Sequence, residues 1–303
     1  MKEEKMRKDV SFKSEGLNIS AWLYTPENVS ADNKAPAIVM SHGLGGIKEM
    51  YLDPIAKAFE QAGFVVLVFD YRFQGGSEGE PRGRIIWYEQ LEDCKNAITY
   101  TSLLPEVDPN RIGYWGTSFA GGHAIHLGAY DSRIKVVACQ VPMVDARENL
   151  LRFNTPEFFK MLQEFLAGDR AARFTGQEGS MLPLVSPDGQ NCAMIGVDVY
   201  EWSIKAYEEV APNWVNQVTL ESIEKAMEYC PANYIHLISP KPLLMVVCRD
   251  DSLTPVDLQI KAFEQAREPK HLEIVPTGHF DVYTDPWQSK ITQWSVDWFK
   301  KYL

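Results

Sequence analysis

From residue 36 onward the sequence alternates short apolar runs with amphipathic stretches of helical period, and few folds accept that rhythm. Residues 37–40 (Ala-Ile-Val-Met) and 65–69 (Val-Val-Leu-Val-Phe) read as buried strands, separated by a helix over about 51–62 that Gly63 closes. A helix over about 85–101, a strand over 112–115, a helix after residue 118 and a strand over 136–139 continue the pattern. Parallel strands cannot be joined by tight hairpins, and the intervening helices supply the crossovers. The expectation is an α/β fold with a mostly parallel twisted sheet and helices on both faces. Ahead of it, residues 10–13 and 19–24 alternate as strands joined by the turn Ser14-Glu15-Gly16.

Residues 145–235 break the rhythm, with helical patches at 157–166, 200–209 and 220–229 between Pro- and Gly-containing turns. The alternation then resumes as strand 243–248, helix 256–266, strand 272–275 and a closing helix over 287–301. An insertion into one sheet is more economical than a second domain. Residues 1–144 and 236–303 are therefore expected to form the core, and 145–235 a helical cap. A chain of 303 residues with 45% apolar and 12% aromatic content can bury a core of that size.

The net charge of −11 is spread along the chain, which argues against nucleic acid or an anionic membrane as partner. Five scattered cysteines (Cys94, Cys139, Cys192, Cys230, Cys248) show no CxxC spacing, so neither a disulfide framework nor a metal site is expected. Residues 1–5 are charged and lack the apolar region of a secretory signal, and no window has the unbroken apolar length of a membrane span. A cytoplasmic protein is expected.

Residues 116–122, Gly-Thr-Ser-Phe-Ala-Gly-Gly, fall between the strand ending near Trp115 and the helix beginning near His123. A serine among small residues at a strand-to-helix turn has the setting of a nucleophile elbow, although Ala120 stands where a second glycine is usual. Ser118 could instead simply cap the helix. A serine nucleophile needs a base, an acid to orient the base, and donors for the oxyanion. His279 follows Gly278 on the loop after the last strand, where an imidazole can point back across the sheet. The other five histidines read as helix, surface or loop positions. The loop after residues 243–248 presents Asp250 and Asp251; Asp251 is favoured because Asp-x-x-x-Pro sets it just before a helix, and Asp145 is a more distant candidate. The turn Ser41-His42-Gly43-Leu44-Gly45-Gly46 follows the strand over 37–40, and the Leu44 and Phe119 amides are the candidate oxyanion donors. The same turn lacks the GxGxxG spacing of a dinucleotide site.

With Ser118, Asp251, His279 and the His42-Gly43 turn in this order, the chain resembles the α/β-hydrolase superfamily. The likeness runs from about residue 35 to the C-terminus, and residues 70–79 resemble that superfamily's D-x-R-G-x-G-x-S-x-G stretch. It is most similar to the branch holding dienelactone hydrolases, acyl-peptidases, bacterial esterases and the fungal polyketide transferases and thiohydrolases. Phe73-Gln74 replaces the usual Gly-x, and the resemblance names no cap type for the insertion. The resemblance implies a cofactor-free serine hydrolase: Ser118 attacks a carbonyl, His279 shuttles the proton, and Asp251 holds the imidazole.

The insertion supplies aromatic residues that could wall an apolar or aromatic acyl pocket: Phe153, Phe158, Phe159, Phe165, Trp202, Tyr207 and Trp214, joined by Trp87 and Tyr88 near the site. Packing within the insertion explains any one of them equally well. Hydrolysis of esters or thioesters leads, with acyl transfer, peptide cleavage and carbon–carbon hydrolysis sharing the same triad. A non-catalytic ligand-binding protein on the same scaffold is the alternative from another class. The last helix, with Trp287, Trp294, Trp298 and Phe299, either packs on its own sheet or buries part of its face in a homodimer.

Overall fold

A computed structural model describes residues 7–303, so the charged start lies outside the described residues. The chain opens with the hairpin β1 (Arg7–Ser14) and β2 (Leu17–Tyr24), turned through Glu15 and Gly16 at φ 46° and 88°. Both central positions of this two-residue turn need positive φ, and that twist matches the flanking strands. There follow β3 (Ala35–Ser41), α1 (Asp53–Gln61), β4 (Val65–Phe69), α2 (Trp87–Ser102), β5 (Val107–Thr117), α3 (Phe119–Tyr130) and β6 (Ile134–Gln140). After the insertion come β9 (Leu243–Cys248), α8 (Val256–Gln265), β10 (Lys270–Val275) and α9 (Trp287–Tyr302).

Eight strands form one sheet in the order β1-β2-β4-β3-β5-β6-β9-β10. The β1–β2 and β2–β4 pairs are antiparallel and the others parallel. The period-2 alternation of strand side chains divides the apolar runs between two cores. Val65, Leu67 and Phe69 face one core with Leu91, Ala97, Ile98 and Ile125 from α2 and α3. Val66 and Val68 face the other with Ile55, Phe59 and Phe299 from α1 and α9. Trp287, Trp294 and Trp298 are partly buried against this second core, so α9 spends its aromatic face on its own sheet.

The insertion runs between β6 and β9. It contains α4 (Ala146–Phe153), α5 (Pro156–Phe174), β7 (Met181–Leu182), α6 (Val197–Glu209), β8 (Val218–Thr219) and α7 (Leu220–Ala226). Four features differ from the sequence reading. Helix α4, capped by Asp145 accepting from the Glu148 amide at 2.9 Å, is an added element. Helix α5 continues to Phe174, and β7 pairs antiparallel with β8, a ladder too short to leave a periodic signal. Beyond α7, the 3-10 turn Pro231–Leu237 puts Ile235 into the sheet's core, on the insertion side of the boundary expected at 236.

A third apolar cluster joins the insertion to the C-terminal edge of the sheet. Leu184, Val199, Ala206, Trp214 and Val218 pack there with Ile47, Met50, Ile85 and Phe119. The Trp214 indole N–H also donates to the Gly45 carbonyl at 2.8 Å. The insertion is thereby seated over the loops that follow β3 and β5, at the edge where parallel α/β sheets carry their ligands.

Candidate active site

Strand β5 delivers Ser118 to the turn, and α3 begins on the next residue. Ser118 has φ 56° and ψ −121°, a conformation that bulky L-residues avoid. Both of its peptide groups are held. Its N–H donates to the Gln140 carbonyl at 3.0 Å, and its carbonyl accepts from Gly121 and Met143, both at 2.9 Å. The turn is so tight that a Cβ on Gly116 would lie 2.1 Å from the Ala120 carbonyl oxygen. Ala120 itself is fully buried inside α3, so the replaced glycine does not disturb the elbow.

His279 Nε2 lies 3.1 Å from Ser118 Oγ, and its Nδ1 lies 2.8 Å from Asp251 Oδ2. A carboxylate only accepts, so Nδ1 carries the proton and the bare Nε2 accepts from the serine hydroxyl. The Asp251 side chain is 0% exposed and receives the Leu253 and Thr254 amides at 2.8 and 2.6 Å. Burial works against its ionisation, but His279 and these amides outweigh burial and hold its carboxyl below the usual carboxylate range. The competing carboxylates are engaged elsewhere. Asp250 is 54% exposed and paired with Arg249 at 2.8 Å, and Asp145 caps α4.

Sequence reasoning missed Thr254. Its hydroxyl donates to Asp251 Oδ2 at 2.8 Å and also lies 3.2 Å from the Val141 carbonyl. The four-residue spacing from Asp251 to Pro255 pointed at the turn, but nothing in it distinguished the threonine. Behind the elbow, Thr117 Oγ1 meets the Tyr283 hydroxyl at 2.5 Å and the Gln140 amide at 3.2 Å.

The glycine-rich turn after β3 presses against the serine. A Cβ on Gly43 would stand 2.9 Å from Ser118 Cβ and 3.3 Å from Oγ. Among the described residues, the Leu44 and Phe119 N–H groups have no internal acceptor, and both residues line the cleft at Ser118. The turn is anchored from behind by Asp70, which accepts from the Lys48 amide at 2.7 Å, the Lys48 ammonium at 2.6 Å and the Gly76 amide at 2.9 Å. Burial opposes the Lys48 charge, and Asp70 more than restores it, raising the ammonium's pKa. His42, bonded through Nδ1 to the Gly43 carbonyl at 3.0 Å, is buried and its pKa is lowered, which keeps it neutral. Phe73, where the superfamily pattern has glycine, still takes φ 68°, so the departure keeps the backbone shape.

Above Ser118 lies an apolar cleft of about 830 Å³, its open mouth included. Leu44, Phe119, Met143, Leu150, Phe153, Met194, Ile195, Ile223 and Met227 line it, with Asn149, Asn154 and Thr254 as polar residues and no charged side chain. Of the aromatic wall candidates, Phe153 lines the cleft, and Trp202 lines a second recess that Ser118 also borders. Trp87, Tyr88, Phe158 and Trp214 lie elsewhere. Trp87 is stacked on Tyr229 at 4.7 Å because the start of α2 aims it at the flank of α3. Tyr88 is 44% exposed on the helix surface. Phe158 packs against Leu162, Leu166 and Leu220 beneath α5, and Trp214 staples the insertion to Gly45. Aliphatic and methionine side chains make most of the wall, and they carry no sequence signal that separates them from core. Among the described residues, no three His, Cys, Asp or Glu are grouped to hold a metal ion, and no helix is long and apolar enough to cross a membrane.

Two outcomes are expected from this geometry. Gly43→Ala displaces Ser118 and lowers kcat by about a hundredfold, while the denaturant midpoint shifts little; steady-state kinetics beside urea unfolding check it. Asp251 has a lowered folded-state pKa, so its stabilisation is complete above the unfolded carboxylate value and is lost as pH falls through the folded one. Urea midpoints of the wild type and Asp251→Asn should therefore differ at pH 7 and converge as pH drops below about 4.

A family model described as alpha/beta hydrolase fold matches residues 36–286. The quorum-quenching protein AidA of Acinetobacter baumannii is 34% identical, over 97% of this chain and 94% of its own. The thiohydrolase aneE of Aspergillus aculeatus is 32% identical, over 89% and 85%. The crystal structure of the alpha/beta hydrolase GrgF from Penicillium superposes with a TM-score of 0.83 at 30% identity, covering 98% of both chains. On that match and these relatives, this chain belongs to the alpha/beta hydrolases.

Proposed function

We propose that the protein cleaves carboxylic esters or thioesters of apolar acyl groups through an acyl-enzyme on Ser118. The observation that carries this reading is the continuous relay from Ser118 Oγ to His279 Nε2 at 3.1 Å and from Nδ1 to Asp251 at 2.8 Å, at the floor of an uncharged cleft. As Ser118 attacks the carbonyl carbon, its proton passes to Nε2. The adjacent Asp251 carboxylate stabilises the imidazolium and keeps Nε2 turned to the serine. The carbonyl oxygen, becoming an anion, is received by the Leu44 and Phe119 amides, which are preorganised and cost no rearrangement. His279 then protonates the departing oxygen or sulfur, and water activated by the same imidazole releases the acid.

Acyl transfer is the second reading, and it differs only in what attacks the acyl-enzyme. It is supported by relatives that carry the names polyketide transferase and acyltransferase. The proposed substrate is a small apolar or aromatic acyl compound, held by residues 145–235 acting as a cap over the sheet. Five free cysteines fit the proposed cytoplasmic location.

A panel of acyl esters and thioesters, assayed with wild type and Ser118→Ala, tests the reading. Turnover by the wild type that falls by at least about a thousandfold in the variant is expected. Turnover that survives the substitution contradicts it.

A further inference from the structure

Two recesses meet at Ser118. The second spans about 420 Å³ and the cleft about 830 Å³, each with its open mouth included. Leu44, Ser118, Met194 and Leu253 border both, so the two are parts of one site divided at the nucleophile. His279 borders only the smaller. Three aromatic rings line that chamber: Trp202 from α6 stacks on Phe280 at 4.6 Å and 26°, with Tyr283 at 5.1 Å from the Trp202 ring.

The proton that His279 takes from Ser118 must return to the atom that leaves, so that atom has to come within hydrogen-bond reach of Nε2. The leaving group then extends to the side the imidazole faces, and the rest of the acyl chain extends to the other side. We infer that the chamber beside Trp202 and Phe280 is the leaving-group and acceptor subsite, that it takes a compact aromatic or short apolar alcohol or thiol, and that Trp202 determines its specificity. The larger cleft, walled by residues such as Phe153 and Ala226, holds the acyl chain. The inference rests on the hydrolase reading above and adds direction to it.

The steps balance without a further reactant. In acylation the bond from Ser118 Oγ to the acyl carbon forms as the bond to the leaving oxygen or sulfur breaks, and the serine proton ends on the leaving atom. In deacylation an alcohol, thiol or water enters the same chamber, gives its proton through Nε2 to Ser118 Oγ, and takes the acyl group. The insertion thus acts on both halves of the substrate: α4 and α7 border the acyl cleft, and α6 borders the acceptor chamber.

Two pairs of esters separate the subsites: benzyl against methyl hexanoate, and octanoate against acetate of benzyl alcohol. Ratios of kcat/KM within one preparation cancel any inactive fraction. In Trp202→Ala the benzyl-to-methyl ratio should fall roughly tenfold, the scale of a lost aromatic contact, with the octanoate-to-acetate ratio little changed. Trp202→Phe should keep most of the benzyl preference, and Ala226→Trp should lower only the octanoate-to-acetate ratio. A Trp202→Ala variant that moves the acyl ratio in place of the leaving-group ratio, or moves neither, overturns the inference. If Trp202→Ala does not fold, the Trp202→Phe and Ala226→Trp ratios decide on the same terms. Failure of the hydrolase reading is separate, since it shows as ester turnover that persists in Ser118→Ala.

Discussion

The backbone of Ser118 is the constraint around which the site is built. Holding a non-glycine residue at φ 56° and ψ −121° costs on the order of 1–3 kcal/mol, and the surroundings must over-determine it. They do so through hydrogen bonds to both serine peptides and through the absence of side chains at Gly116 and Gly43. The strain lifts the hydroxyl clear of β5 into the path of His279. A relaxed serine at the same place would only cap α3.

A second set of interactions fixes what faces the serine. The turn after β3 carries the amides that can receive an oxyanion, and its far end is tied down by the Lys48–Asp70 pair, whose side chains are 4% and 0% exposed. Breaking such a buried pair by removing one member costs about 3–5 kcal/mol, because the remaining charge is left without a partner. The adjoining residue Arg72 grips Asp93 through its side chain at 2.7 Å and its amide at 3.0 Å. The stretch over residues 70–79 is therefore a scaffold behind the oxyanion loop. Its glycines answer to packing: a Cβ on Gly75 would meet Asp70 Oδ2 at 2.2 Å, one on Gly76 the Ser20 hydroxyl at 2.8 Å, and one on Gly79 the Phe73 ring at 2.3 Å.

The sheet and its helices were legible because each strand in the parallel core is a near-continuous apolar run bounded by turn residues. Val65–Phe69 coincides with β4 to the residue. Ser118 and His279 were legible for a different reason: their chemistry demands glycine neighbours at fixed offsets from a strand end. Asp251 was separable from Asp250 only by the position of Pro255, and the structure adds the physical difference of one buried and one exposed carboxylate. Substrate-facing positions were hidden. Met194, Ile223 and Met227 line the cleft while also packing against apolar clusters of the insertion, and no sequence period marks the cleft-facing side. Aromatic residues drew attention by size, and Trp87, Phe158 and Trp214 turned out to pack the frame.

An acyl group held covalently on Ser118 is the central claim, and trapping it is the direct test. Wild-type protein mixed with a chromogenic ester and quenched in acid within the first turnover should yield, by peptide mass mapping, the acyl mass increment on the peptide bearing Ser118. An increment on another residue, or substrate turnover with no increment at the shortest quench times, would contradict the account.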